Sequence, residues 1–99
     1  MAIRVFVYDD NQSRVDSLEA LLELSEEIRF VGYANDCRMV VQDIEKNAPD
    51  VVLMDINMPH VDGIEGLQAI KKQFPEIRVL MQTAFDDSDK IFRSIERGA

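Results

Sequence analysis

Val51-Val52-Leu53-Met54-Asp55 is a run of four large apolar residues closed by a carboxylate, set between Asn47-Ala48-Pro49-Asp50 and Ile56-Asn57-Met58-Pro59. Consecutive apolar residues with no polar alternation predict a strand buried on both faces, as in a parallel sheet covered by helices. Strands are also expected at Ile3 to Tyr8, Phe30 to Ala34 and Ile77 to Met81, the last of them nearly as unbroken as Val51 to Met54. Amphipathic stretches separate them. Ser13 to Leu24 places Val15, Leu18 and Leu22 on one helical face; Asp36 to Asn47 places Val40 or Val41, Ile44 and Ala48; Ile64 to Phe74 places Ile64, Leu67, Ile70 and Phe74. A last helix is expected from Asp87 through Ile91 and Ile95 to Gly98, a residue suited to the left-handed position after a helix. Pro49 and Pro75 stop two of the helices, and Asp62-Gly63 is a turn before another.

The order β-α-β-α-β-α-β-α calls for an open, doubly wound α/β fold with a parallel sheet, right-handed crossovers and helices on both faces. Function in such sheets gathers at the carboxyl edge, where the strand order reverses. Asp9 and Asp10 leave the first strand, Asp55 the third and Thr83 the fourth, so all four are expected at one edge. An isolated Asp after a strand is commonly a helix cap or a favourable first-turn charge. Two strand ends carrying carboxylates make a candidate site.

With 99 residues and 46% hydrophobic content, the chain suits one domain with a modest core. Eleven basic against nineteen acidic residues leave a net charge of −8, the wrong sign for direct nucleic-acid binding by this segment. The single cysteine, Cys37, cannot form an internal disulfide and fits a reducing compartment; as a side chain it is expected to be a small packing residue or a half-exposed thiol. No apolar stretch has the length of a membrane span, and Met1 to Tyr8 is too short for a signal peptide. A cytoplasmic location is expected. His60, in a turn without His or Cys partners at metal spacing, is expected to be a loop residue.

Three carboxylates in one pocket repel, and burial raises the cost of their ionisation; a hard divalent cation with oxygen ligands removes both difficulties. Mg²⁺ suits such a site, since its octahedral shell can combine carboxylates, a backbone carbonyl, waters and a phosphoryl oxygen. Aspartate is also a competent nucleophile toward phosphorus, giving an acyl phosphate. Positioning and charge neutralisation then do most of the catalytic work.

Tyr8-Asp9-Asp10-Asn11, Val51 to Pro59, Asp62-Gly63 and Leu80-Met81-Gln82-Thr83-Ala84, in this order, resemble the receiver (phosphoacceptor) domain of bacterial two-component response regulators. The resemblance covers essentially the whole chain and implies a flavodoxin-like sheet. It also implies that Asp55 is the phosphoacceptor and that Asp9 and Asp10 organise Mg²⁺ with it. Asn57 would add a metal-ligating backbone carbonyl, and Thr83 would be the switch hydroxyl. The implied role is a phosphorylation-controlled signalling switch, not a conventional enzyme, although it assists its own phosphorylation and dephosphorylation. The implied partners are a sensor histidine kinase and a C-terminal output domain. Phe85-Asp86-Asp87-Ser88-Asp89-Lys90-Ile91-Phe92 is similar to regulators whose output is a DNA-binding helix-turn-helix, hence transcription control, and a homodimer is a further expectation.

Family members continue past the position of Gly98-Ala99 into a fifth strand, carrying a lysine and a switching aromatic, and a fifth helix. Residues 1–99 therefore read as a receiver domain with four of the usual five β-α units, and neither Lys71, Lys72 nor Lys90 matches that lysine. With the fourth strand's edge and the Val15, Leu18, Leu22 face uncovered, residues 1–99 alone are expected to be marginally folded or self-associated. Two other function classes share parts of this pattern. A haloacid-dehalogenase-like phosphatase uses Asp-x-Asp, where this chain has Asn57 as the second member; a pseudo-receiver would act only by docking. A flavin carrier would need a loop rich in Gly and hydroxyls after the first strand, where this chain has Asp9-Asp10-Asn11.

Overall fold

Burial on both faces is open only to inner strands, and the two most completely buried runs, Ile3–Tyr8 and Val51–Asp55, occupy the middle of the sheet. The computed structural model describes residues 2–55 and 63–82. In chain order these form β1 (Ile3–Tyr8), α1 (Gln12–Leu22), β2 (Ile28–Ala34), α2 (Val40–Asn47), β3 (Val51–Asp55), α3 (Gly63–Gln73) and β4 (Arg78–Gln82). All neighbouring strands are parallel, in the order β2-β1-β3-β4. The direction of winding reverses between β1 and β3, as the doubly wound reading requires. The expected helix from Asp87 to Gly98 lies outside the described residues.

Strand pleating sorts the apolar side chains into two cores. Val5, Val7, Val51 and Leu53 meet Val15, Leu18 and Leu22 of α1 on one face. Phe6, Tyr8, Val52 and Met54 meet Val40, Ile44 and Ile70 of α2 and α3 on the other. No helix among the described residues is long and apolar enough to cross a membrane.

Several boundaries and faces differ from the sequence reading, each for a local reason. Strand β2 begins at Ile28, before Phe30, because Ile28 is buried and pairs with Ile3. Helix α1 stops at Leu22, before Leu24, which is 79% exposed. Helix α2 starts at Val40 instead of Asp36: the Asp36 carboxylate accepts the Arg38 N–H at 3.0 Å and pairs with its guanidinium at 3.1 Å, which stabilises a turn in place of a helical one. Ala48 does not join the buried face; it is exposed, adopts a left-handed φ of 46° and closes α2 by donating its N–H to the Ile44 carbonyl. The Arg4 guanidinium donates to the carbonyls of Asn47 and Ala48, tying this helix end to β1.

Helix α3 departs most. Ile64, expected inside, is 44% exposed, and the buried face is Gly63, Gly66 and Ile70. A Cβ on Gly66 would lie 2.5 Å from the Cys37 sulfur and 3.0 Å from Met54 Cε. The helix thus approaches the sheet so closely that its contact line runs through glycine. Cys37 is fully packed, its sulfur 3.4 Å from that of Met54, which settles its alternatives in favour of a packing residue.

Tyr8 is the largest fully buried side chain, and its hydroxyl donates to Asp43 Oδ2 at 3.0 Å. Burial first, and the neighbouring Asp43 charge second, push this hydroxyl well above the usual phenol range.

Two tests address this packing. Gly66→Ala is expected to destabilise by about 1–3 kcal/mol through overpacking, and Cys37→Ala in the same chain to recover part of the loss, as a double-mutant cycle on urea midpoints would show. For Tyr8, folded and unfolded states are both protonated below about pH 10; above it only the unfolded chain releases the proton, so rising pH removes up to about 1.4 kcal/mol of stability per pH unit. Tyr8→Phe should flatten that alkaline decline and, at neutral pH, cost about 1–3 kcal/mol because Asp43 loses its donor.

Candidate functional site

Parallel register decides which residues meet at the carboxyl edge. Val7 pairs with Leu53 and Tyr8 with Met54, so Asp9 and Asp55 occupy the next position on adjacent chains. Asp9 continues the extended path of β1 for one residue, donating its N–H to the Ala34 carbonyl at 3.1 Å. Pleating that aims Tyr8 and Met54 at α2 and α3 sends Asp9 and Asp55 toward α1. Both carboxylates are buried, Asp9 at 0% and Asp55 at 2% exposure, whereas Asp10 is exposed. Each of the three offers an oxygen within 4.8 Å of the other two. The expected convergence of Asp9, Asp10 and Asp55 is therefore present. Asn57, Thr83 and His60 lie outside the described residues.

The three-residue link into α1 is held by its own side chains. Asp9 Oδ1 accepts the Asn11 N–H at 2.8 Å, and Asn11, extended at φ −100° and ψ 107°, caps α1 by accepting the Arg14 N–H at 3.2 Å. This cap sets the angle of the first helical turn and hence where Arg14 points. The Arg14 guanidinium grips Asp9 as a fork, Nε to Oδ2 and Nη2 to Oδ1 at 2.9 Å, and Nη2 also donates to Asp55 Oδ2 at 3.1 Å. Buried carboxylates need such compensation, and a bidentate, charge-assisted pair is a strong form of it.

Arg14 was missing from the candidate residues. A cation in the first turn opposes the helix dipole, and α1 has no acidic residue there to offset it. That local mismatch, four residues after an acidic pair, is the sequence signal that points to Arg14.

Three hard carboxylate oxygens suit Mg²⁺ or a similar divalent ion in donor chemistry. A cavity of about 630 Å³ lies elsewhere, at the amino edge between the ends of α2 and α3, where Ile3, Ile44, Phe74 and Ile77 line it. It is remote from the carboxylates, so the functional reading rests on the carboxyl edge.

The Response regulator receiver domain family model matches residues 5–99. Among curated proteins, the chain is 36% identical over 97 residues to the transcriptional regulatory protein LnrK of Bacillus subtilis, covering 98% of this chain and 44% of that protein. The chain thus spans less than half the length of curated relatives such as this one. Among solved structures, the response regulator domain of Thermotoga maritima CheB superposes with a TM-score of 0.80 at 32% identity, covering 100% of this chain and 75% of that one. The signal receiver domain of the response regulator NarL from Mycobacterium tuberculosis superposes with a TM-score of 0.77 at 31% identity, covering 99% and 79%.

Because the Asn11 cap orients the turn that carries Arg14, Asn11→Ala is expected to cost about 1 kcal/mol and Asn11→Ser much less, as chemical denaturation would measure.

Proposed function

The chain belongs to the response regulator receiver domain family, and on that premise we propose that it is a phosphorylation-controlled switch in which Asp55 takes a phosphoryl group from a histidine kinase phosphohistidine. The observation that carries this reading is the position of Asp55: buried at the end of a central strand, with its carboxylate clustered against those of Asp9 and Asp10. Asp55 attacks phosphorus through a carboxylate oxygen; the new O–P bond forms as the N–P bond breaks. The imidazole leaves with that electron pair and takes a proton from solvent, and Asp55 becomes an acyl phosphate.

Asp9, Asp10 and Asp55 supply the carboxylates that would hold Mg²⁺, joined on grounds of resemblance by the backbone carbonyl of Asn57. Bound there, the ion would neutralise charge on the phosphoryl oxygens. Thr83 is assigned the switch hydroxyl on the same grounds of resemblance. Burial of the Asp55 carboxylate at the strand end limits the directions from which a donor can approach. The same site would assist loss of the phosphoryl group to water.

Since LnrK is a transcriptional regulatory protein more than twice as long as the stretch matched, we extend the proposal to a cytoplasmic regulator. In it this segment, singly or as a homodimer, would control a DNA-binding output without contacting nucleic acid itself. The clustered carboxylates favour phosphoacceptance over a docking-only pseudo-receiver.

Incubation with acetyl phosphate and Mg²⁺ tests the assignment by intact mass. The unmodified sequence, carried in a chain extended past Ala99, is expected to gain one phosphoryl group that hydroxylamine removes, as an acyl phosphate requires. Asp55→Asn should gain none, and Asp10→Ala should be labelled about 10–100-fold more slowly. Equal labelling with and without Asp55 would sink the reading.

A further inference from the structure

A site built from three carboxylates already contains a cation. Arg14 engages both oxygens of Asp9 and one oxygen of Asp55, the two buried members of the cluster. Asp9 Oδ1 accepts the Asn11 N–H as well as Arg14 Nη2, so both of its lone pairs are in use. A divalent ion drawing on the same oxygens would sit against the guanidinium, in a pocket whose low polarity strengthens like-charge repulsion. Mg²⁺ also demands a near-ideal octahedral shell and does not share a crowded set of donors readily.

We propose that Arg14 is a resident counter-cation that holds Asp9 and Asp55 in the metal-free protein and must leave them before Mg²⁺ is bound. The inference rests on the Mg²⁺ reading given above and deepens it. The side chain has a route to solvent for such a move: it is 17% exposed and stands on the first turn of α1, with solvent-facing Asp10, Gln12 and Ser13 nearby in the chain. The apolar α1 core is built from Val15, Leu18 and Leu22, of which Arg14 is not a member.

The arrangement also covers the nucleophile. With Nη2 on Asp55 Oδ2, one of the two oxygens that could attack phosphorus is engaged by a donor. Metal loading and release of the nucleophile are then a single event, and the metal-free protein is held in a stable, unreactive form. The device balances charge as well: the guanidinium offsets buried carboxylates while no ion is present, so folding does not depend on Mg²⁺.

Calorimetric titration of the protein with Mg²⁺ tests this, using Arg14→Gln, Arg14→Lys and Asp10→Ala beside the unmodified chain. Arg14→Gln is expected to bind Mg²⁺ about tenfold more tightly, the equivalent of relieving a competition of roughly 1.4 kcal/mol, while melting at a lower temperature in EDTA. Saturating Mg²⁺ should remove most of that difference in melting. Arg14→Lys, a point charge without the fork, should fall between the two. In the unmodified protein, the Arg14 Nε–H resonance should be protected from exchange in EDTA and lose protection at saturating Mg²⁺; this readout does not depend on any variant folding. Unchanged or weaker Mg²⁺ binding by Arg14→Gln, or a resonance that stays protected with metal bound, overturns the counter-cation role while leaving the metal site intact. Absence of Mg²⁺ binding, or binding indifferent to Asp10→Ala, overturns the metal reading and this inference together.

Discussion

Parallel pairing of β1 with β3 is the constraint on which the rest of the molecule depends. It joins the two strands that are buried on both faces, and its register, Tyr8 opposite Met54, leaves Asp9 and Asp55 side by side one residue later. Two ionised carboxylates at that separation in a dry site repel unless something positive stands between them. The fold meets this need with α1, because the pleat that sends Tyr8 and Met54 toward α2 and α3 sends the two acids toward the helix that follows β1. The cap at Asn11 and the cation at Arg14 are consequences of that geometry.

The same constraint explains the division of labour between the two faces. The α2 and α3 side is apolar and tightly packed, with an aromatic pair, Phe6 and Tyr8, whose ring centres are 4.9 Å apart, and with the Cys37 sulfur and the Met54 methyl filling the space beneath Gly66. The Tyr8 hydroxyl, buried on this side, has a partner in Asp43. The α1 side is apolar for most of its depth and ionic at its upper rim. The proposed chemistry is confined to that rim, and most of the remaining apolar residues hold two strand ends in register.

Much of this was legible in the residues alone, because burial on both faces leaves an unmistakable trace. Val51 to Met54 reads as an inner strand from its unbroken apolar run, and the order of elements brings the acids after it and after Ile3 to Tyr8 to one edge; Ile77 to Met81 has nearly the same unbroken character but stands at the end of the described sheet. Faces and boundaries that depend on a neighbour were less visible. The buried face of α3 could not be read from its large apolar residues, since the contact is made at Gly66, where a missing side chain is what matters. The late start of α2 depends on a local competition that Asp36 wins for the Arg38 N–H. Arg14 was passed over because charges on helices usually face water; only the paired geometry of Asp9 and Asp55 shows why a cation belongs there.

Met54 and Asp55 are consecutive in β3 yet belong to opposite sides of the sheet, and the two sides resist displacement differently. Behind Met54 the packing around Cys37 and Gly66 leaves no slack, and close repulsion rises steeply over a few tenths of an ångström. In front of Asp55 the restraint is an attraction between ions, which weakens only gradually with distance. The end of β3 is therefore stiff in one direction and compliant in the other. Work done on it by a change in charge is absorbed mainly toward α1, while the opposite face acts as an anvil.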